Sequence, residues 1–282
     1  MWQHFPETPL LKLEEISGRP NLNVYGKIET VNQTGSHKDR ESVKIVSDAL
    51  NRGLSSIGCA STGNAAISVS AYSYAAGLQC DIYVSKNISP EKKTLIEMFK
   101  PKIHVVDGDY TEAIRVSNLD FEEKGIYNAN PGHCEAKLLG NADIGREIAK
   151  QIDPDFVICP TNNGTHLAGV WMGLRMAGKK PRMVAATAKN TEIADSISGF
   201  HQLEGNAFNE ALKESNGIVI DVSDNEILEA LRTLYRQGIM AEPASAASFA
   251  AIQRLDCERD DVVCCTVTGS GLKFPRLIER LL

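Results

Sequence analysis

Lys38 stands in a polar run, Asn32-Gln33-Thr34-Gly35-Ser36-His37-Lys38-Asp39-Arg40, just ahead of a helical pattern. The exposed amides at a helix mouth lower a lysine's pKa, and an amine poised this way can form a Schiff base. Ala60-Ser61-Thr62-Gly63-Asn64-Ala65 offers amides and hydroxyls where a strand turns into a helix, suited to an anion such as a carboxylate. Pro160-Thr161-Asn162-Asn163-Gly164-Thr165-His166 offers successive amides, with Asn and Gly tolerating the left-handed backbone that a phosphate nest requires. In Thr268-Gly269-Ser270-Gly271 the flanking glycines let a ligand ring approach the Ser270 hydroxyl. Taken singly, each segment also reads as plain turn chemistry: a solvated lysine, an Asn or Ser cap, a glycine turn.

From Asp39 onward, short β-branched runs alternate with helical patterns. The spacing predicts helices over 39–51, 64–76, 90–100, 110–124, 142–151, 167–177, 225–237 and 244–255. Strands are expected at 56–59, 81–84, 103–106, 156–159, 182–186, 218–222 and 262–267. Such alternation implies an α/β fold of mainly parallel sheets with helices on both faces. Ligands of such sheets bind at the carboxyl ends of the strands, where the loops named above fall.

Composition removes other classes. Hydrophobic residues make up 43% and charged residues 23%, so the chain has the makings of a buried core. Thirty Lys and Arg against 36 Asp and Glu leave a net charge of -6, which argues against a nucleic-acid partner. No apolar stretch is long enough to span a membrane, and Met1-Trp2-Gln3-His4-Phe5-Pro6 lacks a signal pattern, so the expected location is cytoplasmic. Seven scattered cysteines with no C-x-x-C, and six histidines with no H-E-x-x-H, exclude a disulfide framework and a metal site. The chain also lacks the Walker, dinucleotide and serine-hydrolase signatures. A lysine, two anion-binding turns and a small hydroxyl remain, and together they are the parts needed to hold pyridoxal phosphate.

In their order along the chain these parts resemble the threonine synthase branch of the fold-type II (tryptophan synthase beta-like) pyridoxal-phosphate enzymes. The likeness runs from Thr8-Pro9-Leu10 through Gly26-Lys27-Ile28-Glu29, the Lys38 motif and Ala60–Asn64. It continues through Asn163-Gly164-Thr165 and Glu242-Pro243-Ala244-Ser245-Ala246-Ala247 to Thr268-Gly269-Ser270-Gly271-Leu272-Lys273. The resemblance implies two three-layer αβα domains with the active site in the cleft between them. The larger, cofactor-binding domain is expected at 1–38 plus 135–282 and the smaller, carrying the Ser61–Asn64 loop, at 39–134.

Carried over residue by residue, the resemblance implies that Lys38 forms the Schiff base with the cofactor and then moves protons at the substrate's Cα. Asn64 bonds the cofactor's phenolic oxygen. Asn162, Asn163, Gly164, Thr165 and His166 wrap its phosphate, and Ser270 faces its pyridine nitrogen. Ser61, Thr62 and Asn64 cradle the substrate carboxylate. Glu242 falls in a stretch the family places near the active site, though Glu-Pro is also a favoured helix start. Asn130-Pro131-Gly132-His133-Cys134-Glu135 matches a family segment that ordinarily carries an arginine for the substrate's phosphate, and His133 stands in its place.

The implied function is a cytoplasmic, homodimeric lyase that performs elimination or replacement at an amino-acid side chain, led by conversion of O-phosphohomoserine to threonine and phosphate. The alternatives are a serine or threonine dehydratase, a β-replacement enzyme on serine or an O-activated serine, and a non-catalytic protein that binds pyridoxal phosphate or an amino acid.

Overall fold

The computed structural model describes residues 6–13, 22–86 and 88–273. The parts of the expected domains at 1–5, 14–21, 87 and 274–282, and the Met1–Phe5 stretch examined for a signal pattern, lie outside the described residues. The chain divides into two compact units: Lys38–Gly140, and Pro6–His37 together with the chain from Asn141 onward. The smaller unit therefore runs on to Gly140, where the sequence reading stops it at Cys134.

Two strands open the described chain, β1 (Leu10–Leu13) and β2 (Asn23–Ile28). The smaller unit follows with α1 (Lys38–Asn51), β3 (Ser56–Ala60), α2 (Asn64–Ala75), β4 (Gln79–Ser85), α3 (Pro90–Glu97), β5 (Lys102–Val106), α4 (Tyr110–Lys124) and β6 (Tyr127–Asn128). After it come α5 (Glu135–Gln151), β7 (Phe156–Pro160), α6 (Thr165–Met176), β8 (Arg182–Thr187), α7 (Gly205–Glu214), β9 (Ile218–Asp221), α8 (Asp224–Arg236), α9 (Pro243–Ala250) and β10 (Val262–Val267).

The smaller unit is built on a parallel sheet of order β5-β4-β3-β6. One face packs Ile57, Cys59, Ile82 and Val84 against apolar residues of α1, α2 and α3, including Ile45, Ile67 and Ile96. The other face receives α4, whose buried Phe121 meets Tyr83 edge-on at 5.4 Å. The chain winds β3, β4, β5 in one direction and then returns to place β6 on the far side of β3. The order thus reverses between β3 and β6, which is where such sheets bind ligands.

The larger sheet has the order β1-β2-β10-β7-β8-β9, and only β1 pairs antiparallel. Its central strands β7, β8 and β10 are buried on both sides, with side chains alternating between the two faces. Val157, Cys159, Met183, Ala185 and Cys264 enter one core with α6, while Phe156, Ile158, Val184, Ala186 and Cys265 enter the other with α8 and α9. That division is the three-layer arrangement expected from the alternating sequence. The winding reverses where β7 and β10 lie side by side.

The expected elements are present, with differences that have physical causes. Helix α5 begins at Glu135, well ahead of the expected 142. The last expected helix is α at Pro243–Ala250 and tightens to a 3-10 turn at Ala251–Arg254. The pairing of β1 with β2, the two-residue β6 and helix α7 were not foreseen. β1 and β2 are held by an edge pairing rather than by a long apolar run, and β6 is too short to show a period.

Candidate active site

Two sets of candidate residues lie at the two reversals of strand order, one in each unit. In the smaller unit, α1 opens at Lys38 itself. The start of α1 is fixed by buried groups: Asp39 accepts from Ser68 Oγ at 2.6 Å, Ser68 in turn meets Ser42 Oγ at 2.7 Å, and Arg40 is fully buried. The Lys38 side chain is 20% exposed, and its Nζ donates to Glu41 Oε1 at 2.6 Å. Lys137, on α5, lies 3.5 Å from the other oxygen of Glu41.

The loop after β3 holds Ser61, Thr62, Gly63 and Asn64, all part-exposed. Gly63 caps α2 without a side-chain hydrogen bond. Ser61 accepts the Gly63 amide at 3.2 Å, which tightens the loop. Beside it, at the end of β6, the buried Asn130 accepts the Ala60 amide at 2.7 Å and donates to Ser117 Oγ and Asn118 Oδ1 at 2.8 and 2.7 Å. The Ser61–Asn64 and Asn130–His133 segments are thereby fixed to one another. His133 is exposed, and Asn118 Nδ2 approaches its Nε2 at 3.2 Å.

In the larger unit, the loop after β7 leads into α6 through Gly164, whose φ of +90° is a conformation that glycine tolerates without a Cβ clash. No side chain caps α6. The neighbouring side chains point to protein partners. Asn162 accepts the His201 amide at 2.9 Å and donates to Ser196 O at 3.3 Å, and Thr165 Oγ1 donates to Glu204 at 3.1 Å. Both ring nitrogens of the buried His166 are engaged, with Asn141 Oδ1 at 2.7 Å and Thr266 Oγ1 at 2.9 Å. The imidazole is thus committed to protein partners on both sides.

The loop after β10 carries Ser270, whose amide donates to Gly35 O at 2.9 Å and whose Oγ accepts the Leu272 amide at 3.3 Å. Glu242 is buried beneath this loop; its amide donates to Gly269 O at 2.9 Å, and its carboxylate accepts from Thr268 Oγ1 at 3.3 Å. The Gly26–Glu29 segment serves structure: Lys27 is fully buried and bonds Glu147, Thr8 O and Gln151 at 2.6, 2.8 and 2.9 Å. Glu29 accepts from Thr8 Oγ1 and Asn32 Nδ2, both at 2.7 Å.

Sequence reading missed Glu41 and Lys137. The Lys38–Glu41 spacing of three within a helix was the available signal for the first. Nothing local marks Lys137 as its partner. Among the described residues no group of His, Cys, Asp and Glu could hold a metal ion, and no helix is long and apolar enough to cross a membrane.

The sequence profile of the pyridoxal-phosphate dependent enzymes matches residues 1–269. Threonine synthase of Halalkalibacterium halodurans is 30% identical over 95% of this chain and 83% of its own length. That of Bacillus sp. is 32% identical over 95% and 83%, and that of Methanocaldococcus jannaschii 30% over 95% and 75%. Among solved structures, maize serine racemase superposes with a TM-score of 0.84 at 19% identity, covering 98% of this chain and 92% of its own. A threonine deaminase isoform from Solanum lycopersicum gives 0.81 at 19% identity, covering 98% and 88%.

Proposed function

The chain belongs to the pyridoxal-phosphate dependent enzymes, and we propose that it is a threonine synthase-like lyase that takes O-phosphohomoserine to threonine and phosphate. The observation that carries this reading is the likeness to threonine synthases along 95% of the chain. The residues present suit the cofactor. Two helices, α2 and α6, begin without side-chain caps, and the Ser36 hydroxyl, two residues before Lys38, is buried with no hydrogen-bond partner. These are groups that a phosphate, a carboxylate and a ring could satisfy.

Pyridoxal phosphate, when bound, supplies the electron sink that stabilises negative charge at the substrate's Cα. In the proposed mechanism the Lys38 amine takes and returns the proton at Cα. Backbone amides at the start of α6, from Asn162 to His166, hold the cofactor phosphate. Asn64 bonds the phenolic oxygen, and Ser270 meets the pyridine nitrogen without the fixed proton that a carboxylate partner would enforce. A neutral serine there suits elimination and replacement better than transamination. Ser61, Thr62 and the amides of α2 orient the substrate carboxylate; overall a proton leaves Cβ, phosphate leaves Cγ, Cγ gains a proton, and water adds its hydroxyl to Cβ.

A second reading, a serine or threonine dehydratase or a β-replacement enzyme, is favoured by one observation. The position expected to hold an arginine carries His133, an exposed imidazole turned to Asn118. The proposal extends to a homodimer in the cytoplasm engaged in amino-acid biosynthesis. Seven free thiols, six of them buried, support a reducing compartment, and light scattering at the mass of one chain would exclude the dimer.

The test is the visible absorption of the purified protein with pyridoxal phosphate as O-phosphohomoserine, serine, threonine and phosphoserine are added in turn. A violet band that responds to O-phosphohomoserine, with phosphate released, is expected. A response confined to serine-type ligands would transfer the proposal to the second reading. Lys38→Ala should lose the violet band and at least about a thousandfold in turnover. An unchanged band in that variant would remove Lys38 from the role.

A further inference from the structure

We propose that Glu41 is a positioning residue for Lys38: its carboxylate holds the ε-amine whenever that amine is not bonded to the cofactor, and Lys137 pins the carboxylate. The proposal rests on Lys38 being the attachment lysine.

Lys38 and Glu41 share the first turn of α1, with Nζ and Oε1 2.6 Å apart. The Glu41 side chain is 2% exposed, and that of Lys137 only 4%. Lys137 stands 3.5 Å from Oε2 and also donates to Ala129 O at 3.0 Å. A carboxylate so deeply buried is tolerated only with charged partners, and here it has one on each oxygen. Of the three side chains only Lys38 reaches solvent appreciably.

Titratable groups that face this cluster include Cys59 on β3, Cys134 ahead of α5 and Tyr110 at the start of α4. Burial works to strip the proton from Lys137, but Glu41, with Cys59, Cys134 and Tyr110, outweighs it and leaves the pKa of Lys137 raised. Burial pushes the Cys59 thiol up to about 11, so it stays neutral through the working range. Two charges placed near Lys38 are Glu41, which favours its ammonium form, and the more distant Lys137.

Attachment requires the free amine. One ammonium proton passes to solvent, the nitrogen bonds the aldehyde carbon, and the two remaining protons leave with the carbonyl oxygen as water. Glu41 then sets the pH at which attachment begins, and it returns the amine to a single place each time a substrate displaces it.

The experiment mixes the cofactor-free full chain with pyridoxal phosphate across a range of pH. It follows the violet absorbance and the borohydride-trapped mass at Lys38 in wild type, Glu41→Gln and Glu41→Asp. The Gln variant should attach with a midpoint about one pH unit lower, and about tenfold faster at neutral pH. The Asp variant should stay near the wild-type profile. An unchanged profile in folded Glu41→Gln overturns the proposal. Should that variant not fold, Glu41→Gln with Lys137→Met removes both buried charges; a smaller shift in the same direction is expected, because the repulsion from Lys137 is lost too, and no shift overturns the proposal. Trapped mass absent from Lys38 in the wild type would instead overturn the attachment reading, and this proposal with it.

Discussion

Asn130 Oδ1 accepts the amide of Ala60 at 2.7 Å, joining the last residue of β3 to the segment that follows β6. One buried side chain thus sets the spacing between the Ser61–Asn64 loop and the loop of His133. Its amide group is committed on the other side as well, to Ser117 and Asn118.

Asn130→Ala should therefore leave the buried Ala60 amide without its acceptor, at a cost of about 1–3 kcal/mol measured by urea unfolding. Because the loop shifts while Lys38 does not, the Michaelis constant for the amino acid should rise more than turnover falls. Equal losses in both would mean that Asn130 does not act through the Ser61–Asn64 loop.

Gly269 lies against Glu242 so closely that a Cβ there would overlap the buried carboxylate. Glu242 cannot swing away cheaply, since its amide is bonded to Gly269 O and its carboxylate to Thr268. Gly269→Ala should cost about 1–3 kcal/mol through overpacking, and it should weaken pyridoxal phosphate binding by displacing Ser270. A variant with wild-type stability and cofactor affinity would show that this close approach carries no constraint.

Acid sensitivity should appear at the start of α8. Burial pushes the Glu226 carboxyl up, but hydrogen bonds from the Ser223 backbone and side chain and the charge of Arg254 outweigh it and leave its pKa below the ordinary 4.5. Arg254 grips both carboxylate oxygens, and Ser223 completes a reciprocal cap. A lowered folded-state pKa gives stability that is present above 4.5 and is lost as pH falls through the folded value. Glu226→Gln keeps the cap but loses the charge. It should be less stable than wild type by about 1 kcal/mol or less at neutral pH, with the gap closing below pH 4.5 in parallel thermal melts.

Much of this was readable before the structure because the strands are buried on both faces. Runs such as Phe156–Cys159 and Val262–Val267 stand out between helical patterns, and the polar turns after them mark strand ends. What escaped depends on long-range pairing. β1 and β2 show no strong period of their own and exist as strands because β2 lies beside β10. Nothing in the sequence marks Lys27 and Glu147 as partners, yet they form a buried pair across many residues of sequence. Likewise, the turn between β7 and α6 was legible from Asn and Gly at 162–164, but nothing in that string says that His166 turns inward to Asn141 and Thr266.

His133 offers the sharpest test of substrate. Asn118 Oδ1 accepts from both Asn128 and Asn130, at 2.9 and 2.7 Å, which fixes the amide so that Nδ2 faces the imidazole. His133 Nε2 is thus the acceptor of this contact. Arginine brings a permanent charge and a two-pronged donor. His133→Arg should lower the Michaelis constant for O-phosphohomoserine about tenfold, a gain of about 1.4 kcal/mol, while leaving the response to serine unchanged. If steady-state kinetics show no gain with the phosphorylated substrate, residue 133 does not face the substrate's phosphate, and the cation that binds it must be sought on another loop.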